Sequence, residues 1–265
     1  MAARPFPSVS AKVHIAVLGP VEINGTVRAF RRLAARDLVV YLACHRRGVR
    51  TAQWVEAVWP GRRVSPSTVH STVSDARRAI GSDGAGHPKI VRQAGLLRLD
   101  DSVVTDVEEF ADLAADGDPL VGMRALEMVR GVPLSGLRGG DWAVFDGTQA
   151  RVEALVVEAA LTTAERLVAA GDPGSAELAV RQALIACPYD ERLYRSLLGA
   201  VAAQGNRVRL RATMTQLRVL TGEPSGGQSR NPLSDLTDRF DPETTALYQD
   251  LLHGLPAVGA HPARL

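Results

Sequence analysis

The stretch SPSTVHSTVSDARRAI, residues 65–80, decides how the first part of this chain folds. Ser65 can cap a helix through its side-chain oxygen, and Pro66 suits the first turn, where no N–H is needed. Apolar residues then recur at spacings of four, three and four: Val69, Val73, Ala76 and Ile80. This period predicts one helix with a single buried stripe.

The other face of this predicted helix carries short polar side chains first and arginines last. We assign to it Ser67, Ser71, Ser74, Asp75 and Arg78, with His70 and Arg77 on its flank. Such a face suits a helix whose first half enters the DNA major groove while its later arginines meet phosphate. The alternative is the solvated face of an ordinary helix.

The surrounding residues favour the DNA-binding interpretation. A short strand is predicted at 14–18 and another at 21–23, followed by a hairpin turn at Asn24-Gly25. Helices are predicted at 33–45 and at 52–58, the latter capped by Thr51. Two alternating strands follow at 89–92 and 96–99. A sheet, three helices and a basic hairpin form a winged helix, in which Arg92 and Arg98 of the hairpin can meet the DNA backbone.

Beyond residue 101 the sequence predicts helices alone. They cover 108–115, 120–130, 151–170, 175–186, 190–204, 207–220 and 242–252, and their short connections favour antiparallel stacked pairs. Residues 183–189 resemble the end of a tetratricopeptide unit. Such helices bind a partner on a concave face or form a bundle that merely packs, and the pattern leaves both open.

The predicted fold class is therefore mainly α with small β-sheets. A winged helix-turn-helix domain (1–100) is followed by an all-α, tetratricopeptide-like helical domain (101–252) and a tail (253–265). Residues 222–240, rich in polar residues, glycine and proline, are predicted to form a mobile insertion.

The charge is distributed unevenly along the chain. Residues 1–100 hold 16 Lys and Arg against 6 Asp and Glu, a net charge of +10, whereas the remaining 165 residues hold 15 against 23, a net charge of −8. A basic segment of this size attracts phosphate and favours salt-dependent binding to nucleic acid. The acidic remainder is free to meet protein.

Several function classes find no support in the sequence. It contains no phosphate-binding loop with a Gly-Lys-Ser/Thr ending, no nucleophile elbow and no histidine at helical ligand spacing from another histidine or from a cysteine. We therefore expect no enzyme activity, no catalytic residue, no cofactor and no metal site. Cys44 and Cys187 are interpreted as buried thiols, and the acidic run at 106–118 as a solvated helix face. No apolar run is long enough for a membrane span, and residues 1–10 do not read as a secretory signal.

Several motifs together resemble the Streptomyces antibiotic regulatory protein family. Residues 14–22, Val58-Trp59 and residues 73–81 are similar to its DNA-binding domain, an OmpR-type winged helix. Residues 106–110, 130–137, 141–142 and 187–191 are similar to its bacterial transcriptional activation domain. The resemblance covers residues 13–252. It implies a cytoplasmic, actinobacterial activator that binds promoter repeats in double-stranded DNA through helix 65–80 and contacts RNA polymerase or another protein, with a homodimer also possible.

Three departures from the family pattern are notable. Asp75 stands where members usually have arginine, Leu97 replaces an aromatic residue in the wing, and 225–240 resembles an insertion. On the outward face Asp75 would repel phosphate, although its carboxylate could accept a hydrogen bond from a cytosine amine. Asp75 supports the alternative function, a protein-interaction scaffold with a degenerate winged helix, which could be part of a larger signalling protein.

The candidate DNA-binding residues fall into two groups. Those expected nearest the base edges are Ser67, Thr68, His70, Ser71 and Ser74. Those expected to contact phosphate are Arg46, Arg47, Arg62, Arg63, Arg77, Arg78 and Arg92.

Overall fold

The structure, a computed structural model, describes residues 12–137, 139–220 and 241–255. The chain divides into two compact units. The first unit comprises Met1–Phe110 with Arg130–Val152, and the second comprises Ala111–Val129 with Glu153–Leu265. These units group residues that contact one another, and they do not test the predicted domain limits. The domains predicted at 1–100, 101–252 and 253–265 therefore stay a prediction. The predicted insertion at 222–240 lies outside the described residues.

The first unit opens with strands β1 (His14–Ala16) and β2 (Glu22–Asn24), which pair antiparallel with Ile15 opposite Ile23. The predicted hairpin at Asn24-Gly25 is wrong, because the chain reverses between β1 and β2 instead. Beyond Gly25 the chain turns away from β2, and the Val27 N–H donates to the Ala79 carbonyl at 2.8 Å.

Three helices then build the core of the first unit. They are α1 (Leu33–Cys44), α2 (Thr51–Val58) and α3 (Pro66–Ile80). Their fully buried side chains include Leu38, Leu42, Trp54, Ala76 and Ile80. The predicted cap at Thr51 is wrong, since Thr51 already lies in α2 and the Gln53 side chain accepts from the Arg50 N–H at 2.7 Å.

The predicted basic hairpin is present as β3 (Ile90–Gln93) and β4 (Leu96–Leu99), which pair antiparallel. Its turn has positive φ at Ala94 and Gly95. Leu97 exchanges two backbone hydrogen bonds with Val49, 2.8 and 2.9 Å long, so the hairpin is fastened to the connection between α1 and α2.

A further short strand, β5 (Val104–Thr105), pairs parallel with β1 and gives the sheet order β2-β1-β5. Helix α4 (Asp106–Ala115) follows directly. Asp106 is buried, and its carboxylate accepts from the Val17 and Leu18 N–H groups at 2.8 and 2.9 Å. Asp106 is therefore an exception to the predicted solvated acidic face: it fastens the loop after β1. Burial raises the pKa of Asp106, while these hydrogen bonds and Arg130 act to lower it.

The remaining elements are helical. They are α5 (Pro119–Glu127), α6 (Asp141–Phe145), α7 (Thr148–Ala169), α8 (Pro173–Ala186), α9 (Glu191–Ala203), α10 (Arg207–Leu220) and α11 (Pro242–Gly254). Within the second unit α8 packs against α5 and α9, and α10 and α11 both pack against α9. Four of these helices begin with an aspartate whose side chain accepts from a backbone N–H of the first turn: Asp118, Asp172, Asp190 and Asp241. No helix in the described part of the chain is long and apolar enough to cross a membrane.

A buried carboxylate ties three of these helices together. Glu177 of α8 accepts from the Arg181 Nε at 2.8 Å, from the Gln204 amide at 2.8 Å and from an Arg209 guanidinium nitrogen at 2.5 Å. Burial acts to raise the pKa of Glu177, but hydrogen bonds from Gln204 and Arg181 and the positive charges outweigh it and hold the pKa below its usual value. Glu177 is thus ionised and fully paired in the folded chain.

Candidate nucleic-acid interface

Helix α3 begins as its sequence predicts. The Ser65 side chain accepts from the Thr68 N–H at 3.2 Å, and Pro66 occupies the first turn. The Thr68 hydroxyl lies 3.0 Å from the same Ser65 oxygen, so it takes part in the cap. The exposed side chains of α3 include Ser67, His70, Ser74 and Arg78, whereas Ser71 is half-buried.

Asp75 does not lie on this exposed face. Its side chain is 3% exposed, and one carboxylate oxygen accepts from the Arg31 and Arg32 N–H groups, both at 3.0 Å. The assignment of Asp75 to the outward face is therefore wrong. The carboxylate satisfies two backbone N–H groups of the segment before α1, which would otherwise have no hydrogen-bond acceptor. Asp75 therefore presents no carboxylate on the exposed face of α3.

A cleft of about 460 Å³ runs between α3, the start of α2 and the wing strand β3. It is lined by Thr51, Val69, His70, Val73, Ser74, Arg77 and Arg92. The Arg77 Nε donates to the Ile90 carbonyl at 3.0 Å, and an Arg92 guanidinium nitrogen lies 3.4 Å from the Thr51 hydroxyl. Two arginines and no carboxylate line this cleft, which suits an anionic ligand such as phosphate.

Arg62 and Arg63 lie in the connection between α2 and α3 and are exposed. The Arg62 N–H donates to the Trp59 carbonyl at 3.1 Å, which fixes the backbone of the turn after α2. Arg78, in the last turn of α3, is also exposed, and its Nε lies 3.3 Å from the Ser74 carbonyl of its own helix. These three arginines therefore present charge to solvent beside the polar face of α3.

Arg46 and Arg47 lie elsewhere in the first unit, at the end of α1. They line a second cleft of about 410 Å³ together with Gln93, Ala94, Leu96 and Arg98. The Arg46 Nε donates to Glu108 at 2.9 Å, and another of its nitrogens donates to the Val103 carbonyl at 3.0 Å. Arg46 is thus largely committed to the protein, while Arg47 is exposed.

The sequence interpretation missed one basic residue beside α3. An Arg32 guanidinium nitrogen donates to the Ser71 hydroxyl at 2.8 Å, so this arginine reaches the polar face of α3 from outside the helix. The signal was the pair Arg31-Arg32 directly before a helix, in a stretch with no acidic residue between Glu22 and Asp37.

The two thiols are not poised for chemistry. Burial raises the pKa of Cys44 to about 12 and that of Cys187 to about 12, so both are protonated at neutral pH. Neither forms a disulfide. Within residues 12–137, 139–220 and 241–255, no group of three or more His, Cys, Asp or Glu side chains could hold a metal ion.

Comparisons with known proteins bear on both parts of the chain. Residues 104–213 match the family model described as the bacterial transcriptional activator domain. Comparison with curated proteins gives no match. Among solved structures, Mycobacterium tuberculosis EmbR in complex with a low affinity phosphopeptide is similar, with a TM-score of 0.64 and 23% sequence identity. The similarity covers 93% of this chain, which spans 66% of that chain.

These findings confirm the predicted fold class and the activator-domain part of the predicted resemblance. At 23% identity the likeness to the solved structure concerns the fold alone. The resemblance of the first 100 residues to an OmpR-type DNA-binding domain stays a prediction, as do the twelve DNA-binding residues.

Proposed function

We propose that this chain is a cytoplasmic, sequence-specific DNA-binding transcriptional regulator, an activator that reads promoter repeats through α3. The observation that carries the proposal is the inward position of Asp75, which leaves a polar and basic surface on α3. Residues 104–213 support the activator role by their match to an activator domain. That helical part would contact RNA polymerase, another protein or a second copy of the chain.

The side chains of α3 have the properties that direct readout requires. Ser67, His70 and Ser74 are exposed and can donate or accept hydrogen bonds at base edges, and Ser71 is half-buried beside them. We assign base contacts to these four residues and to Thr68, although the Thr68 hydroxyl must leave its cap to reach a base.

The phosphate contacts divide according to how free each arginine is. Arg62, Arg63 and Arg78 are exposed, and Arg77 and Arg92 line the cleft beside α3. We assign these five to the DNA backbone next to α3. Arg47 and the partly committed Arg46 would contact a more distant phosphate, through the second cleft.

Selection from a pool of random duplexes, followed by salt-titrated binding, tests the proposal. The wild-type chain is expected to enrich a repeated motif. Changing Arg62, Arg63 and Arg78 together to alanine should weaken binding to every duplex and flatten the salt dependence, by roughly 0.9 in the log–log slope per lost phosphate. Arg77 is left intact because its bond to Ile90 also holds the wing.

A variant with Arg124→Ala and Arg211→Ala is the control, because both arginines are exposed and lie in the second unit. Its affinity and salt slope should equal those of the wild type. Weak binding without an enriched motif would contradict the proposal and favour the non-DNA-binding scaffold. Asp75 itself no longer supports that scaffold, because its side chain is buried.

A further inference from the structure

A basic segment, residues 27–32, lies along one side of α3 and is called here the arginine arm. Its first part is fixed near the end of α3, where the Val27 and Arg28 N–H groups donate to the Ala79 carbonyl at 2.8 and 3.3 Å. Its last part is fixed by Asp75, which accepts from the N–H groups of residues 31 and 32. The arm is therefore held against α3 at both ends.

The positions of these contacts show which side of α3 the arm occupies. Ser71, Asp75 and Ala79 are spaced by four residues, so they form one stripe, because residues four apart lie only about 40° apart around a helix. The side chains of His70 and Arg77 belong to the opposite edge, where they line the cleft beside the wing. The exposed strip of α3 lies between these two edges.

The arginine arm adds positive charge along the edge of α3 that it contacts. Arg28, Arg31 and Arg32 are all exposed. Within the described part of the chain, the guanidinium groups of Arg28 and Arg31 have no hydrogen-bond or ion-pair partner, and that of Arg32 is paired with the Ser71 hydroxyl alone. An exposed guanidinium without a carboxylate partner keeps its donors for an external anion.

We propose that Arg31 and Arg32 bind phosphates of the DNA strand on the arm side of the major groove, with Arg28 adding charge nearby. The inference rests on the proposed function. The major groove is bounded by one phosphate backbone on each side and is about 12 Å wide, so a helix lying in it has a strand along each edge. Arg77 and Arg92 bind phosphates of the strand on the wing side, and the arginine arm binds phosphates of the other strand. Asp75 is the positioning residue, since it fixes the backbone from which both arginines extend.

The test uses the full chain and a duplex of the sequence enriched by selection. Arg31 and Arg32 are changed together to alanine; both are exposed, so the fold should persist. We expect an affinity loss of about tenfold or more near physiological salt, and a salt slope reduced by roughly 1.8. Hydroxyl-radical footprinting should lose protection on one strand, whereas Arg92→Ala should lose it on the opposite strand.

The pair Arg124→Ala and Arg211→Ala removes the same charge elsewhere and should change neither the affinity nor the footprint. Asp75→Ala should reproduce the footprint change on the arm side while the arginines are still present, which a purely electrostatic role of the arm would not cause. Thermal unfolding reports whether that buried substitution has left the protein folded. If it has not, the arginine variant decides alone.

The outcomes separate this inference from the proposed function. If the wild type binds and Arg78→Ala weakens it, while Arg31→Ala with Arg32→Ala binds and protects both strands as the wild type does, the arm inference is overturned and the proposed function stands. If the wild type selects no duplex at all, both are overturned.

Discussion

Asp37 is a carboxylate on the buried side of α1, with 8% of its surface exposed. Burial raises its pKa from 3.8 to about 6, against a smaller lowering by Arg36. The folded chain therefore holds this proton more tightly than the unfolded chain. Protonated Asp37 therefore contributes to the stability of the fold below pH 4, and this contribution is lost as the pH rises through about 6.

Replacing Asp37 by asparagine should therefore stabilise the protein at pH 7 by up to about 3 kcal/mol and change little at pH 3.5. Urea unfolding followed by tryptophan fluorescence measures this, because Trp54, Trp59 and Trp142 all belong to the first unit. The exposed Asp112→Asn serves as the control. An equal gain at both pH values would contradict burial as the cause.

Residue roles were predictable only where they depend on local spacing. The cap at Ser65 and the buried stripe ending at Ile80 follow from the sequence of α3 itself. Asp75 could not be assigned in the same way, because its partners are backbone N–H groups 43 and 44 positions away. Helical periodicity gives a residue's angle around the axis, but it does not give the segment that packs at the edge of a face.

At the scale of elements, α3 depends on its cap. Ser65→Ala leaves the Thr68 N–H without its side-chain acceptor and should lower the free energy of unfolding by about 1 kcal/mol. Tryptophan fluorescence in urea again reports the effect. Ser74→Ala is the matched control, since it removes an exposed hydroxyl within the same helix and should be neutral or slightly stabilising. A similar loss in both variants would exclude capping as the cause.

Elements with a strong periodic pattern or a clear cap were predicted closely, as for α3, β4 and α10. Helix α6 and strand β5 were not predicted, because five and two residues are too few to show a period. The Asn24-Gly25 pair gave a clear local signal, but the hairpin that it predicted does not form. A local turn preference was overridden by the tertiary contact of Val27 with the end of α3.

At the scale of the whole molecule, the uneven charge sets the expected response to salt. If each arginine assigned to the DNA backbone beside α3 neutralises one phosphate, the log of the affinity should fall with the log of the salt concentration with a slope of roughly −6. These arginines are Arg31, Arg32, Arg62, Arg63, Arg77, Arg78 and Arg92. Titrations between about 50 and 250 mM salt, at fixed pH, measure it. A slope near zero would mean that the net charge of +10 in residues 1–100 does not act on DNA.

The order of the two parts was the most predictable feature of the molecule. Basic and acidic residues separate along the chain, the described strands all lie before residue 106, and most of the activator-domain match at 104–213 falls in the helical part that follows. The compact units do not follow this linear order. Residues 130–152 return to the first unit, where His45 meets Asp146 at 3.2 Å, a contact that no sequence pattern announces.

The bond from Arg77 to the Ile90 carbonyl has a mechanical consequence. A guanidinium is a rigid plane with five donors, and only the Nε donor is committed to β3. The same side chain can therefore hold the wing in place and still offer its outer edge to an anion. Lysine carries all its donors on one nitrogen at the end of a flexible stem and lacks the rigid plane that separates the two contacts. Arg77 thus joins the helix to the wing, and a force on its side chain from outside is transmitted to both.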